Sequence, residues 1–323
     1  MTLRDANIAV LAGGVGAARF LRGLRLVVPP RMIAAIVNTG DDTELHGLSI
    51  SPDLDTITYT LAGAIDPERG WGLAGETWQT MDALGRFGPV RPEHSEAGAT
   101  WFNLGDRDMA THLYRTARLA EGARLTDVTA EISRAWQLET RLLPMTDQRF
   151  RTMITLADSG DDVSFQDYFV RLRHAVPVAA VRFEHGGAEL TAEAASAIEH
   201  ADAVVIAPSN PLVSIGPIRA LGRVDELLAA RRDSVVAVSP IVGGSALKGP
   251  ADRMLAELGL EPSVVGVAEL YRPVAAALVV DPADAELADR VEAAGVRCVI
   301  EPSIMSTPER SRALAARCID AAL

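Results

Sequence analysis

The sequence predicts a three-layer, doubly wound α/β fold. Short, wholly apolar runs bounded by turn residues recur near both ends of the chain, the pattern of strands buried on both faces. Stretches of helical periodicity lie between them, so strands and helices alternate around a mostly parallel, Rossmann-like sheet.

In chain order, the first strand is IAVLA (8–12), followed by Gly-Gly-Val-Gly and a helical pattern through about Leu26. The second, MIAAIVN (32–38), ends in the polar loop NTGDDTELHG. Later strands are AVVIAP (203–208), SVVAVSP (234–240), AALVVD (276–281) and RCVIEP (297–302). Helices are expected over 282–295 and 307–323, the latter with Thr307 as N-cap and Pro308 at its first position. Residues 55–140 are mostly helical in pattern and contain all four tryptophans, Trp71, Trp78, Trp101 and Trp136. Two β-leaning runs follow at 151–157 and 177–184. The expected organisation is a nucleotide-binding core of 1–60 and 178–323, with 61–177 as a mainly helical insertion forming one wall of a ligand cleft. No low-complexity linker or internal repeat interrupts it.

The 323 residues are 48% hydrophobic, enough for a substantial core, and carry a formal charge of -12. That charge argues against a general nucleic-acid binder, whose footprint is a basic stripe. Two cysteines, Cys298 and Cys318, do not make a disulfide scaffold. The start carries Asp5 and glycines where a signal peptide needs an unbroken apolar run, and no stretch of about 18 apolar residues exists for a membrane helix. A cytoplasmic protein is expected.

Four stretches carry chemistry. Gly13-Gly14-Val15-Gly16 follows a strand and opens a helix, where glycines permit close backbone approach and free N–H groups meet a phosphate. The same turn could serve without any ligand. Arg19 stands where a dinucleotide fingerprint needs its third glycine, which disfavours a nicotinamide oxidoreductase. Second, Asn38-Thr39-Gly40-Asp41-Asp42 and Ser51-Pro52-Asp53-Leu54-Asp55-Thr56 gather carboxylates at the carboxyl edge of the sheet. Carboxylates without His or Cys favour Mg²⁺, with Asp41, Asp53 and Asp55 as candidate ligands. Asp53 or Asp55 could equally cap the following helix.

Third, Gly105-Asp106-Arg107-Asp108 precedes a helix and could aim Arg107 at a phosphate or form a surface ion-pair cluster. His112, on that helix, reads as an ordinary structural histidine, and the other histidines show no ligand spacing. Fourth, the loop from Pro208 to Ile218, with Ser209, Asn210, Ser214 and Gly216, follows a strand and suits a base or ribose. Ser239-Pro240-Ile241-Val242-Gly243-Gly244, leading to Lys248, is a parallel case.

Taken in this order, the stretches resemble the 2-phospho-L-lactate transferase family (CofD type) of coenzyme F-420 biosynthesis. The resemblance rests on 13–24, VNTGDDTELHGLSISPDLDTITYTLAG (37–63), IDPERGWGLAGETW (65–78), FNLGDRDMATHL (102–113), 142–147, 165–171, APSNPLVSIGPI (207–218) and 238–244, and spans essentially the whole chain. It implies transfer of a phospho-three-carbon-acid moiety from a guanosine-diphosphate-activated donor to the ribityl hydroxyl of FO, 7,8-didemethyl-8-hydroxy-5-deazariboflavin, with release of GMP. The acid would be 2-phospholactate, enolpyruvyl phosphate or 3-phosphoglycerate. By the same resemblance, the glycine loop (Gly13, Gly14, Val15, Gly16) and Ser209, Asn210, Ser214 and Gly216 would hold the nucleotide. Asp53 and Asp55 would bind Mg²⁺ or orient the hydroxyl; Arg107 would contact FO or the phosphoryl charge; Thr56, Trp71 and Trp78 would flank the ring. It also implies a homodimer between an upstream guanylyltransferase and a downstream glutamate ligase, with no fused ligase domain expected after the last helix. The competing expectation is a non-catalytic nucleotide-sugar-binding regulator on the same fold.

Overall fold

A computed structural model describes residues 5–323. Residues 1–4, where the chain start and the 1–60 core begin, lie outside the described residues. Seven parallel strands form the central sheet, in the spatial order Arg297–Ile300, Ala277–Val280, Val235–Val238, Ala203–Ile206, Ile8–Ala12, Ile33–Val37 and Arg141–Pro144. The five inner strands are buried at every position. Alternate residues serve opposite faces: Leu11, Ile36 and Ile206 enter one core and Val10, Ala35 and Val205 the other. Each fully buried aliphatic side chain contributes about 1.5–3 kcal/mol relative to exposure. An unbroken apolar run is therefore what a strand covered on both sides needs.

The Gly14–Leu24 and Pro308–Ala322 helices cover one face through Phe20, Leu21, Leu314 and Ile319. Ala192–His200, Val224–Ala229 and Val264–Tyr271 cover the other. Thr307 caps the terminal helix, its hydroxyl accepting from Arg310 N at 3.3 Å, with Pro308 at the first position. Along the chain, pairing runs from Ile8–Ala12 outward through Ile33–Val37, and returns on the opposite side with Ala203–Ile206. The reversal opens a crevice beyond the carboxyl ends of these strands, where open α/β sheets take ligands.

Three elements differ from expectation. Residues 282–295 form a 3-10 turn, Pro282–Leu287, and a short helix, Ala288–Ala293, rather than one helix. Asp284 breaks the pattern because its carboxylate turns to accept from Gly243 N at 2.8 Å and Gly244 N at 3.2 Å. Between the Pro52–Leu61 helix and Met109–Ala120, only Gln79–Gly85 is α-helical, since glycines and prolines interrupt the periodicity. Finally, Arg141–Pro144 adds to the sheet edge beside Ile33–Val37, while Arg151–Leu156, Asp162–Ser164 and Val178–Glu184 form a separate antiparallel sheet. Among the described residues no helix is long and apolar enough to cross a membrane.

Candidate active site

The two loops flanking the crevice touch through their backbones. A Cβ on Gly16 would stand 2.1 Å from Pro208 O, and one on Gly13 would stand 2.8 Å from Ser214 Cβ. Glycine at both positions lets the strands' following loops close against each other. The Ser209 hydroxyl then donates to Gly13 O at 2.7 Å, and Asn210 Oδ1 accepts from Leu212 N at 2.9 Å. The N-cap of the Gly14–Leu24 helix is Gly13, which has no side chain to cap with; Asp53 lies against the Gly14 backbone N–H, and the rest of the first turn presents backbone donors to the crevice. Gly13, Gly14, Val15, Gly16, Ser209, Asn210 and Ser214 all line one cavity of about 800 Å³. Gly216 opens a short helix behind it, against Phe183, and is not in the lining.

The carboxylates separate into two groups. Pro52 sets the first turn of the Pro52–Leu61 helix and Ser51 holds the N-cap position, so neither Asp53 nor Asp55 serves as the cap. Asn38 Nδ2 donates to Asp41 at 3.1 Å and to Asp53 at 3.0 Å, holding both carboxylates beside the glycine loop. Burial pushes Asp53 up to about 6. Burial, together with the nearby charges of Asp53 and Asp42, holds Asp41 well above the usual carboxylate range. Asp41 Oδ1 and Asp42 Oδ1 are buried without a hydrogen-bond partner. Asp41 and Asp53 are carboxylates short of positive charge, whereas Arg115 attracts Asp42.

Asp55 belongs to a compensated cluster. Arg115, only 2% exposed, reaches across from the Met109–Ala120 helix and grips both Asp55 oxygens, with Nη1 at 3.1 Å from Oδ2 and Nη2 bonded to Oδ1. Burial opposes the Arg115 charge, but Asp55 and Asp42 raise its pKa above the ordinary value. His112 Nδ1 lies 3.6 Å from Asp55 and Nε2 3.6 Å from Asp108, and that Nε2 is buried without a hydrogen-bond partner. Tyr59 donates to Asp108. Asp55, Asp108 and His112 each offer a ligand atom within 4.8 Å of the others, a possible metal-binding set among the described residues. His112 therefore lies in the cavity wall beside two carboxylates, where the sequence reading had it as a plain structural residue. The signal was present in the spacing: Asp108, His112 and Arg115 share one face at i, i+4 and i+7, opposite Asp55 and Tyr59 on another helix.

Asp106 and Arg107 work differently. Asp106 accepts from Thr77, Gln79 N and Thr80 N, which pulls its pKa down to about 2. Glu76 accepts from Arg107 N at 2.8 Å and Asp108 N at 2.9 Å, completing the start of the Met109–Ala120 helix. The Arg107 guanidinium donates to Ala74 O at 2.6 Å and stands outside the cavity lining. Thr56 and Trp71 do line the cavity, whereas Trp78 stands behind Trp71 with Arg69 against both rings. Phe102, Phe165, Phe169, Leu247 and Ile304 supply further apolar wall that the sequence reading missed. Phe169 comes from a π-helical turn, Asp167–Arg171, a helix type frequent at functional sites.

A glycine-lined crevice at the reversal point of a doubly wound sheet, walled by carboxylates and aromatic rings, places the chain among the doubly wound α/β proteins with a cleft at the carboxyl edge of the sheet. The chain belongs to the 2-phospho-L-lactate transferase CofD family, whose model matches residues 8–307. It is thus a transferase of phosphoryl-acid chemistry in coenzyme F-420 biosynthesis. It is 45% identical over 295 residues to a phosphoenolpyruvate transferase of Streptomyces coelicolor, covering 90% of this chain and 89% of that one. It is 40% identical over 285 residues to one of Mycobacterium bovis, covering 82% and 83%. Two crystal structures of a Bacillus halodurans protein, one described as a UPF0052 family member, share the fold at TM-scores of 0.59 and 0.58. Their identities are 16% and 15%, over 92% and 93% of both chains.

Proposed function

We propose that the protein transfers the phospho-three-carbon-acid moiety of a guanosine-diphosphate-activated donor to the ribityl hydroxyl of FO, releasing GMP. The observation that supports this most is the cavity at the carboxyl edge of the central sheet. It joins backbone phosphate donors, an uncompensated carboxylate pair, an ion-paired carboxylate and an aromatic wall. Phosphoryl transfer needs little from the protein beyond positioning and charge stabilisation. The glycine loop with Ser209, Asn210 and Ser214 would hold the guanosine diphosphate, and Trp71, Thr56 and the phenylalanines the deazaflavin ring and its chain.

Asp41 and Asp53 fit a divalent cation, since the first has an orphaned buried oxygen and both hold protons too tightly for isolated carboxylates. All-oxygen ligation suits Mg²⁺, which would neutralise diphosphate charge. Asp55 differs from these two, because Arg115 already balances its charge. Its free lone pairs leave it able to accept the hydrogen bond of the ribityl hydroxyl. That hydroxyl oxygen would then bond to the distal phosphorus as the bridge to GMP breaks, its proton passing to the Asp55 carboxylate and on to solvent while the bridging oxygen leaves on GMP. Arg107, outside the cavity lining, would meet FO only after a movement of its side chain from Ala74.

The names of the relatives favour enolpyruvyl phosphate as the donor's acid. The test mixes protein, FO, Mg²⁺, GTP and an active guanylyltransferase with 2-phospholactate, phosphoenolpyruvate or 3-phosphoglycerate. Mass spectrometry should find FO joined to one phospho-acid, with phosphoenolpyruvate the productive one. No product from any acid with folded protein would favour a nucleotide-sugar-binding regulator.

A further inference from the structure

Arg19, Arg69 and Lys248 are the arginine and lysine side chains in the cavity wall. Arg69 is already engaged: it pairs with Asp66 at 2.9 Å, donates to Leu73 O at 3.0 Å and packs on Trp71 and Trp78. Arg19 and Lys248 form no hydrogen bond or ion pair with any described residue. They come from unrelated elements, Arg19 from the Gly14–Leu24 helix and Lys248 from the loop before Ala251–Glu257, and converge on the same cavity. Lys248 Nζ comes within 3.2 Å of where a Gly70 Cβ would stand, and Val15 Cγ1 within 3.8 Å. Gly70 thus leaves the room into which the ammonium extends. Burial and the Arg19 charge both lower the Lys248 pKa, as two cations sharing one space require.

Neither side chain belongs to the glycine loop, but both border it: Lys248 Nζ and Val15 Cγ1 face the same point beside Gly70. Arg19 follows Val15 by four residues and Gly16 by three, which places it on the same helix face one turn along, about 5 Å from the N-terminal amides. With a nucleoside diphosphate held by the glycine-loop amides and a cation at Asp41 and Asp53, these two side chains would be left for a further anionic group. The remaining anionic group of the donor is the carboxylate of its three-carbon acid.

We propose that Arg19 and Lys248 form a carboxylate subsite for the acid portion of the donor. The inference rests on the transferase reading above. A carboxylate between them would gain charge-assisted hydrogen bonds from a guanidinium and an ammonium at once. The subsite would discriminate acid-bearing donors from the bare nucleotide. Both side chains are at the cavity surface and hold no structural contact, so their replacement should leave the fold intact.

The test uses Arg19→Met, Lys248→Met and Lys248→Arg in the full chain. GDP, which lacks the carboxylate, is titrated by calorimetry, and steady-state kinetics are measured for FO and for the donor generated in situ from phosphoenolpyruvate. Each Met variant should raise donor KM about tenfold, the value of one charged hydrogen bond. GDP affinity and FO KM should change less than twofold, and Lys248→Arg should recover most of the loss. Equal weakening of GDP and donor would show that the pair holds phosphate and would overturn the proposal. Unchanged donor KM would overturn it as well. Wild-type protein that binds GDP yet turns over no donor would instead refute the transferase reading, and the subsite with it.

Discussion

Replacing Asp55 by Asn tests whether this carboxylate is both a structural counterion and a substrate contact. Arg115 is 2% exposed and both of its terminal nitrogens bond Asp55, so the substitution leaves a guanidinium charge buried with a neutral amide. Breaking a buried ion pair from one side costs about 3–5 kcal/mol, because the remaining charge is uncompensated. Here the lower end is expected, since Asp42 also attracts Arg115 and Arg115 Nη1 keeps a 3.3 Å contact with Ser49 O. Arg115→Met should lose about as much, through stranding Asp55. The double variant Asp55→Asn with Arg115→Met removes both charges and should be more stable than either single variant, so the coupling energy exceeds about 3 kcal/mol. Urea unfolding followed by tryptophan fluorescence gives the stabilities, and FO turnover is measured on the same preparations. The double variant should be stable and inactive. An Asp55→Asn protein within 0.5 kcal/mol of the parent, by the same scale roughly experimental neutrality, would refute the buried-pair reasoning.

Other expectations follow from the same geometry. Asp53 binds its proton more tightly in the folded state, so this stability is complete below the ordinary carboxylate value of 3.8 and declines as pH rises through about 6. From pH 5 to pH 8 the metal-free protein should lose about 1.4 kcal/mol from Asp53 alone, and Mg²⁺ should restore more at pH 8 than at pH 5. A pH-independent urea midpoint would contradict it. Gly16→Ala should abolish GDP binding in calorimetry, because its Cβ meets Pro208 O at 2.1 Å, while Gly85→Ala, with nothing within 4 Å of its Cβ, should leave binding and stability intact. Trp71→Ala should weaken FO binding about tenfold and shrink the tryptophan quench that FO produces, given that the ring is 44% exposed in the cavity wall.

The sheet was legible because each inner strand announces itself within five residues: IAVLA and IAAIV need no partner in the sequence to be recognised as doubly buried. The glycine loop and the Pro208–Ser214 loop were legible for a related reason, since each follows its strand directly. The pairing of Asp55 with Arg115 was not, as the partners lie 60 residues apart on different helices and only packing brings them together. Asp41, Asp53 and Asp55 look alike in sequence, yet a single Asn38 side chain draws the first two to the glycine loop while Arg115 takes the third. Arg141–Pro144 escaped because four residues with a charged start carry too little pattern to announce a strand. Likewise, nothing local in 282–295 shows that Asp284 will leave its helix for the amides of Gly243 and Gly244.

The most direct measurement is a crystal structure of the protein with GDP and Mn²⁺, using anomalous scattering to locate the metal. The diphosphate should lie on the Gly13–Gly16 amides beside Ser209, and the anomalous peak should fall between it and the carboxylates of Asp41 and Asp53. Nucleotide bound away from this crevice would contradict the assignment of the site. A peak at Asp55, Asp108 and His112 instead would contradict the division of the carboxylates into a metal-binding pair and an arginine-paired orienter.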